Sequence, residues 1–394
     1  MSLIKKIVFG FLIFIAALGV IAFWFRQDLM MLFFAPTKSD IGVGVEKIDQ
    51  VAGVPENKNT NEDNEVEKSS YQIVAEKLTV PWQIAFLPSG EMIITERVGR
   101  LVIFKDQPVV IAIDDSEQVG EGGLLGMALH PNFSENNFLY LYLTTRVDGK
   151  LSNKILRYRL INDQLTERTV ILEGIPGSQN HDGGRIAFGP DGLLYATTGD
   201  ASQTNLAQDL NSLAGKILRM TDDGKVPAGN PFDTLVYSSG HRNPQGITWD
   251  QQGKLWATEH GRSGVSTGFD ELNIIEAGKN YGWPTIQGPQ RQSGLESPII
   301  QSGSAETWAP AGMVYWDGSI FFTGLRGAAL YEAKLLEDNN ISLVRHFPGQ
   351  FGRLRDVVIG PDGMMYIATS NTDGRGKPQV NDDKIIKLNP MMFR

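Results

Sequence analysis

Cysteine is absent from the 394 residues, which removes disulfides, thiolate metal sites and cysteine nucleophiles together and leaves the compartment unreadable from thiol usage. A chain this long buries enough apolar surface to fold without such staples. A basic face is missing too. Lysine and arginine total 36 against 45 aspartates and glutamates, for a formal net charge of −9, and no lysine-arginine run occurs. Nucleic acid is therefore excluded as a partner, because phosphate backbones require concentrated positive charge. Sustained helical spacing is also missing over roughly the last 320 residues. What is abundant is glycine, 43 residues, which suits a chain with many tight turns, since glycine takes positive φ without steric cost.

Three regions follow from composition. Lys5 and Lys6 precede an uncharged apolar run from Ile7 to Phe25, closed by Arg26 and Asp28. The run is long enough to cross a hydrocarbon core, and basic residues ahead of it favour a cytoplasmic N-terminus. Residues 1–35 are expected to be a membrane anchor that leaves the rest on the periplasmic side of a bacterial inner membrane. A cleaved signal peptide, with Ala17-Leu18-Gly19 as its site, would give a soluble periplasmic protein instead, and a buried core helix is a third reading. Residues 36–70, including "PENKNTNEDNEVEKSS", are poor in apolar residues and read as a flexible, disordered tether.

From residue 71 to 394 one pattern recurs six times: an apolar run, a Pro/Asp/Gly turn, a second β-rich run and usually a third strand. The copies include "QIAFLPSGEMIITERVGRLVIF", "GMALHPNFSENNFLYLYLTT", "IAFGPDGLLYATTGD", "GITWDQQGKLWATEHG", "MVYWDGSIFFTGLRGAALYEAKL" and "VVIGPDGMMYIATSN". A β-sandwich would not repeat one turn sequence in one place. The pattern predicts an all-β fold, a six-bladed β-propeller of four-stranded antiparallel blades.

In a propeller the first strand of each blade lines the channel, so the segments entering those strands converge at one mouth. They read "PWQ", "GEGG", "NHDGGR", "GHRNPQG", "WAPAG" and "GRLRD", bringing one histidine, several arginines, amides, Trp82 and Trp308 together. His181 is the candidate base, as imidazole exchanges a proton near neutral pH. Arg242, Arg353 and Arg355 suit a ligand carrying several carboxylates, or else inter-blade salt bridges. Asp200 orients a site residue or caps a strand. No histidine-carboxylate metal site is indicated, whereas "FDELN" and "NYGWP" offer oxygen ligands of the kind calcium accepts, Glu271 and Tyr281.

The motifs "GEGGLLGMALHPNF", "NHDGGRIAFGPDGLLYATTGD", "GHRNPQGITWD", "DELNIIEAGKNYGWP" and "GRLRDVVIGPDG", in order between Val80 and Pro390, resemble those of the soluble glucose and aldose sugar dehydrogenases that depend on pyrroloquinoline quinone (PQQ). The resemblance implies oxidation of an aldose to a lactone, with hydride passed to PQQ and electrons then to an external quinone or cytochrome. It makes His181 the catalytic base, supported by Asp200, and gives Arg242, Asn243, Arg353 and Arg355 to the cofactor. It implies calcium on the carbonyls of Gly261 and Arg262, and a second, structural calcium using Glu271 and Tyr281. The chain departs from the pattern in three places. Glu121 replaces a glutamine near the cofactor, Arg262 replaces a proline in a longer loop, and Leu325 stands where a cofactor-binding lysine is expected, with Arg326 beside it able to serve. A calcium-dependent lactonase and a non-catalytic propeller that has lost the cofactor are the competing functions.

Overall fold

A computed structural model describes residues 71–262, 268–337 and 340–394. The expected anchor and tether lie outside these residues. Among the described residues no helix is long and apolar enough to cross a membrane.

Six four-stranded antiparallel sheets follow one another along the chain. Blade 1 holds Pro81–Phe86, Met92–Glu96, Arg100–Ile103 and Val109–Ala112, and blade 2 Leu124–Leu129, Phe138–Val147, Lys150–Ile161 and Gln164–Pro176. Blade 3 holds Ile186–Phe188, Leu194–Thr198, Lys216–Met220 and Val236–Ser239, and blade 4 Pro244–Trp249, Leu255–Glu259, Glu271–Ile275 and Ile300–Gln301. Blade 5 holds Pro310–Trp316, Ser319–Gly324, Ala329–Leu335 and Ile341–His346. Blade 6 takes Leu354–Ile359, Met365–Thr369 and Ile385–Leu388 from the C-terminal end, and its outer strand, Tyr71–Ala75, from the start of the described chain. Tyr71 pairs with Leu388 and Gln72 with Lys387. The ring is closed by hydrogen bonds between its two ends.

The repeated turn has a physical cause. In "PDGLLY", "DQQGKLW" and "PDGMMY" one oxygen of Asp191, Asp250 or Asp362 accepts a backbone N–H two residues on, at 3.1, 2.8 and 3.1 Å. The other oxygen accepts from the second-strand aromatic, Tyr195, Trp256 or Tyr366, each at 2.9 Å. One aspartate thus bends the chain and ties the bend to the next strand. Gly192 and Gly363 sit in these turns at φ of 75° and 74°, where a side chain would be strained.

Apolar faces meet between blades. Six buried clusters fill the six interfaces; Tyr142 and Ile155 of blade 2 pack on Leu194 and Leu218 of blade 3, and Ile84 and Ile94 of blade 1 on Tyr366 and Ala368 of blade 6. Each such side chain contributes roughly 1.5–3 kcal/mol by leaving water. Trp82 and Trp308, expected at the mouth, are both buried, 1% and 2% exposed; the Trp82 ring lies 4.4 Å from the Arg185 guanidinium. Trp308 packs on Phe322 and Tyr331.

Inner strands of five blades carry a register shift at their first residues, between Pro81 and Gln83, Leu124 and Met127, Pro244 and Gly246, Pro310 and Met313, and Leu354 and Asp356. Bulges of this kind re-aim side chains at barrel and channel rims. They bring Trp82, Gln245 and Arg355 together: Arg355 Nη1 donates to Gln245 Oε1 at 2.8 Å, and the Arg355 guanidinium lies 5.8 Å from the Trp82 ring.

Candidate active site

Because the strands alternate in direction, the loop from second to third strand of every blade opens at the same end as the segment entering the first. Two sets of loops therefore build the mouth.

His181 comes from the entry to blade 3 and Asp200 from the second loop of that blade. His181 Nδ1 lies 2.7 Å from Asp200 Oδ1. Asp200 Oδ1 also accepts from the Ser202 amide at 2.8 Å, and its Oδ2 accepts from Trp283 Nε1 at 2.8 Å. A carboxylate surrounded by donors accepts a hydrogen bond from Nδ1–H as well, which leaves Nε2 of the imidazole as the basic nitrogen. Nε2 has no hydrogen-bond partner among the described residues, and the side chain is 16% exposed while Asp200 is 0%. The backbone of His181 is left-handed, φ 66°, an uncommon conformation for a residue with a side chain. Two bonds hold it: its N–H donates to Glu121 Oε2 at 2.9 Å, and its carbonyl accepts from Ala201 at 3.2 Å. Gly199 is required beside it, since a Cβ there would stand 1.9 Å from the His181 oxygen.

The entry to blade 4 locks onto this loop. Asn243 Oδ1 accepts from the Gly183 amide at 3.0 Å, and Asp200 N–H donates to the Arg242 carbonyl at 2.7 Å. The Arg242 amide donates to Glu259 Oε1, and its buried guanidinium lies 5.4 Å from the Trp283 ring. Burial lowers the basicity of Arg242, against the opposing pull of Asp200 and Glu121.

Blade 6 supplies Arg353 and Arg355. Arg353 donates through Nε and Nη2 to Asp373 Oδ2 at 2.9 and 2.7 Å, so it is one half of a buried ion pair. Burial, with Arg97 and Arg353 nearby, drives Arg355 down to about 9. Arg326 sits half-buried, its basicity also lowered by burial against the opposing pull of Asp270, while Leu325 is buried. Glu121 has both oxygens engaged, Oε2 by His181 and Oε1 by Arg375. Burial opposes its ionisation, yet Arg375 holds the carboxyl well below the usual range. The extra carboxylate at the mouth is thereby neutralised.

The positions expected to hold calcium divide. The Gly261 amide donates to Asp270 Oδ1 at 2.8 Å, and Asp270 Oδ2 accepts from Thr307 Oγ1, Trp308 N and Ala309 N, which fastens this loop to blade 5. Arg262 is exposed, its guanidinium 5.9 Å from the Phe269 ring. Glu271 is pushed up to about 8, by burial first and by Glu259 next. A carboxyl in that state gains from a cation. The Tyr281 hydroxyl is committed elsewhere, donating to the Ile274 carbonyl at 2.6 Å and accepting from Glu276 N at 2.9 Å. Among the described residues no three His, Cys, Asp or Glu side chains are arranged to hold a metal.

Several residues at the mouth escaped the sequence reading, notably Arg97, His260, Asp270, Trp283, Asp373 and Arg375. All but Trp283 lie on second-to-third-strand loops, a position that was itself the available signal. Three buried donors at this end, Arg97 Nε, Asn243 Nδ2 and Arg355 Nε, have no acceptor among the described residues, and His260 Nε2 is a further buried nitrogen without a partner there. Burial holds His260 near 4, so its ring is neutral at pH 7. Buried donors left unpaired are costly. PQQ, flat and rich in carboxylate and quinone oxygens, is the kind of molecule such a set accommodates.

A family model described as glucose/sorbosone dehydrogenase matches residues 78–381. Aldose sugar dehydrogenase YliI of Escherichia coli is 33% identical over 344 residues, covering 77% of this chain and 90% of that protein. Among solved structures, the PQQ-bound aldose sugar dehydrogenase of Streptomyces coelicolor is 39% identical, with a TM-score of 0.75, covering 81% of this chain and 96% of the other. A putative oxidoreductase (glucose dehydrogenase) of Thermus thermophilus is 41% identical, with a TM-score of 0.77, covering 81% and 99%.

Proposed function

This chain belongs to the glucose/sorbosone dehydrogenase family, and on that footing we propose that it is a PQQ-dependent dehydrogenase that oxidises an aldose at its anomeric carbon to a lactone. The observation that carries the proposal is the set of unpartnered buried nitrogens at the same end of the propeller as the His181–Asp200 pair. When bound, PQQ supplies the two-electron acceptor for the hydride leaving the anomeric carbon.

The protein's own work is proton transfer and positioning. His181 Nε2 takes the proton of the anomeric hydroxyl, and Asp200 stabilises the imidazolium that results. Trp283 and Ser202 fix Asp200, so the ring cannot turn its bonded nitrogen outward. Arg242, Asn243, Arg326, Arg353 and Arg355 would hold the cofactor, and the Arg242 charge would favour negative charge developing beside it. Backbone carbonyls of Gly261 and Arg262 are the proposed ligands of a calcium on the cofactor, with Glu271 and Tyr281 for a structural one. The run from Ile7 to Phe25 supports a periplasmic location with an N-terminal anchor, and recovery of all the protein in a soluble periplasmic fraction would favour cleavage instead.

The test is to titrate the purified full chain with PQQ and calcium by absorbance, then add an aldose and an artificial acceptor. Saturable binding with sugar-dependent acceptor reduction is expected. A chain that binds no PQQ overturns the dehydrogenase reading and leaves the non-catalytic propeller and the calcium-dependent lactonase.

A further inference from the structure

Arg375 lies on the second-to-third-strand loop of blade 6, yet its guanidinium reaches the loops entering blades 2 and 3. Nη1 donates to Glu121 Oε1 across 254 residues of sequence, and Nη2 donates to Asn180 Oδ1 at 3.0 Å across 195. Glu121 passes the restraint on, since its other oxygen accepts the His181 amide at 2.9 Å. The loops themselves are tightly nested: Glu121 N–H donates to the Gln179 carbonyl at 2.8 Å, and a Cβ on Gly120 would come within 2.1 Å of that oxygen.

Arg375 is fixed from behind as well. Its amide donates to Asp373 Oδ1 at 2.8 Å, and Asp373 Oδ2 holds Arg353. One continuous chain of contacts therefore runs from Arg353 through Asp373, Arg375 and Glu121 to the backbone of His181. The His181 backbone sits in the left-handed region, a conformation that persists only where its surroundings impose it.

We propose that Arg375 is a positioning residue: acting through Glu121 and Asn180, it clasps the His181 loop to the last blade and keeps the base in register with the cofactor-facing arginines. The assignment rests on the dehydrogenase reading above, and it explains the carboxylate at position 121, which serves as the clasp's anionic half.

The experiment compares the parent with Arg375→Ala and Arg375→Lys in two measurements. The first is amide hydrogen exchange of His181 in the apo-protein by NMR, which needs no activity. The second is stopped-flow reduction of bound PQQ by saturating aldose. For Arg375→Ala, His181 exchange is expected to rise about tenfold or more and the reduction rate to fall about tenfold or more, as small displacements of a base are costly. Arg375→Lys, which still pairs with Glu121, is expected to restore most of both. Should Arg375→Ala not fold, Glu121→Ala removes the acceptor from the same amide and carries the same expectation. Exchange within about twofold of the parent overturns the clasp. So does faster exchange with an undiminished rate, or a slower rate with unaltered exchange. A parent that never reduces PQQ sinks the dehydrogenase reading by itself, and the clasp is then decided by His181 exchange alone.

Discussion

Two histidine–carboxylate pairs lie close together in this propeller and differ in what the second nitrogen meets and in how exposed the ring is. His181 stands 2.7 Å from Asp200, and His241 stands 2.8 Å from Glu259. The far nitrogen of His181 is unpartnered among the described residues, on a ring that is partly exposed. The far nitrogen of His241 is 2.8 Å from Ser238 Oγ, and its ring is wholly buried and stacked on Tyr281 at 4.8 Å. Ser238, His241 and Glu259 even reproduce the order of a nucleophile, base and acid, but no substrate can reach them. Function at such a pair is decided by what the second nitrogen meets, not by the pair itself. Glu259 instead clamps the backbone of Arg242.

The largest expected effect breaks the open pair. His181→Gln preserves approximate size and removes the titratable base, so quinone reduction should fall by about 10²- to 10⁴-fold with cofactor affinity little changed. Stopped-flow rates beside equilibrium binding check this, and a variant within tenfold of the parent would remove His181 from the mechanism.

Breaking the closed pair should cost stability first. His241→Leu strands the buried Glu259 carboxylate and the Ser238 hydroxyl, and is expected to destabilise the fold by about 3–5 kcal/mol. Urea denaturation measures it. A loss under about 1 kcal/mol would mean that the buried relay is dispensable.

How much of this contrast was legible in the sequence depends on how far apart the partners lie. His181 enters the third repeat copy and Asp200 ends it, so both fall within the single motif "NHDGGRIAFGPDGLLYATTGD", and it was the family resemblance that paired them. The Asp-Gly turns were readable because aspartate, glycine and the following aromatic act within six residues of each other, as in Asp250 and Trp256. The contact of Arg375 with Glu121 joins opposite ends of the domain and left no local trace. Trp82 and Trp308 both sit at strand entries, which the sequence does not distinguish: the Trp82 ring lies beneath Arg185 and Arg355, whereas the Trp308 ring packs into the core on Phe322 and Tyr331.

A weaker effect tests whether the closed pair serves the mouth. Arg242→Ala removes a buried cation from the expected cofactor site and should reduce PQQ affinity about tenfold to a hundredfold, as charge-assisted bonds are worth roughly 1.5–3 kcal/mol. Unchanged affinity and turnover would make Arg242 purely a partner of its neighbours.

The smallest effect concerns the residue after the base. Asp182 is buried and pushed up to about 7 by burial, with Oδ2 unpaired while Oδ1 accepts from Asn153 and Ser178. Its folded value exceeds the unfolded one, so its stabilising contribution is complete below about pH 4 and is lost as the pH rises through about 7. Asp182→Asn should match the parent near pH 4 and be more stable by on the order of 1–2 kcal/mol at pH 8. Parallel melting curves across that range would show it, and parent and variant curves that never separate would refute it.

The most direct test of the whole account sets the two histidines side by side. Purified parent, His181→Gln and a folded His241 variant such as His241→Gln are each loaded with PQQ and calcium and mixed with an aldose, and the quinone absorbance is followed in a single turnover. The account requires reduction by the parent, reduction within about tenfold of it by the His241 variant, and a loss of about a hundredfold or more confined to His181→Gln. Equal rates for parent and His181→Gln, or greater impairment at His241 than at His181, would contradict it.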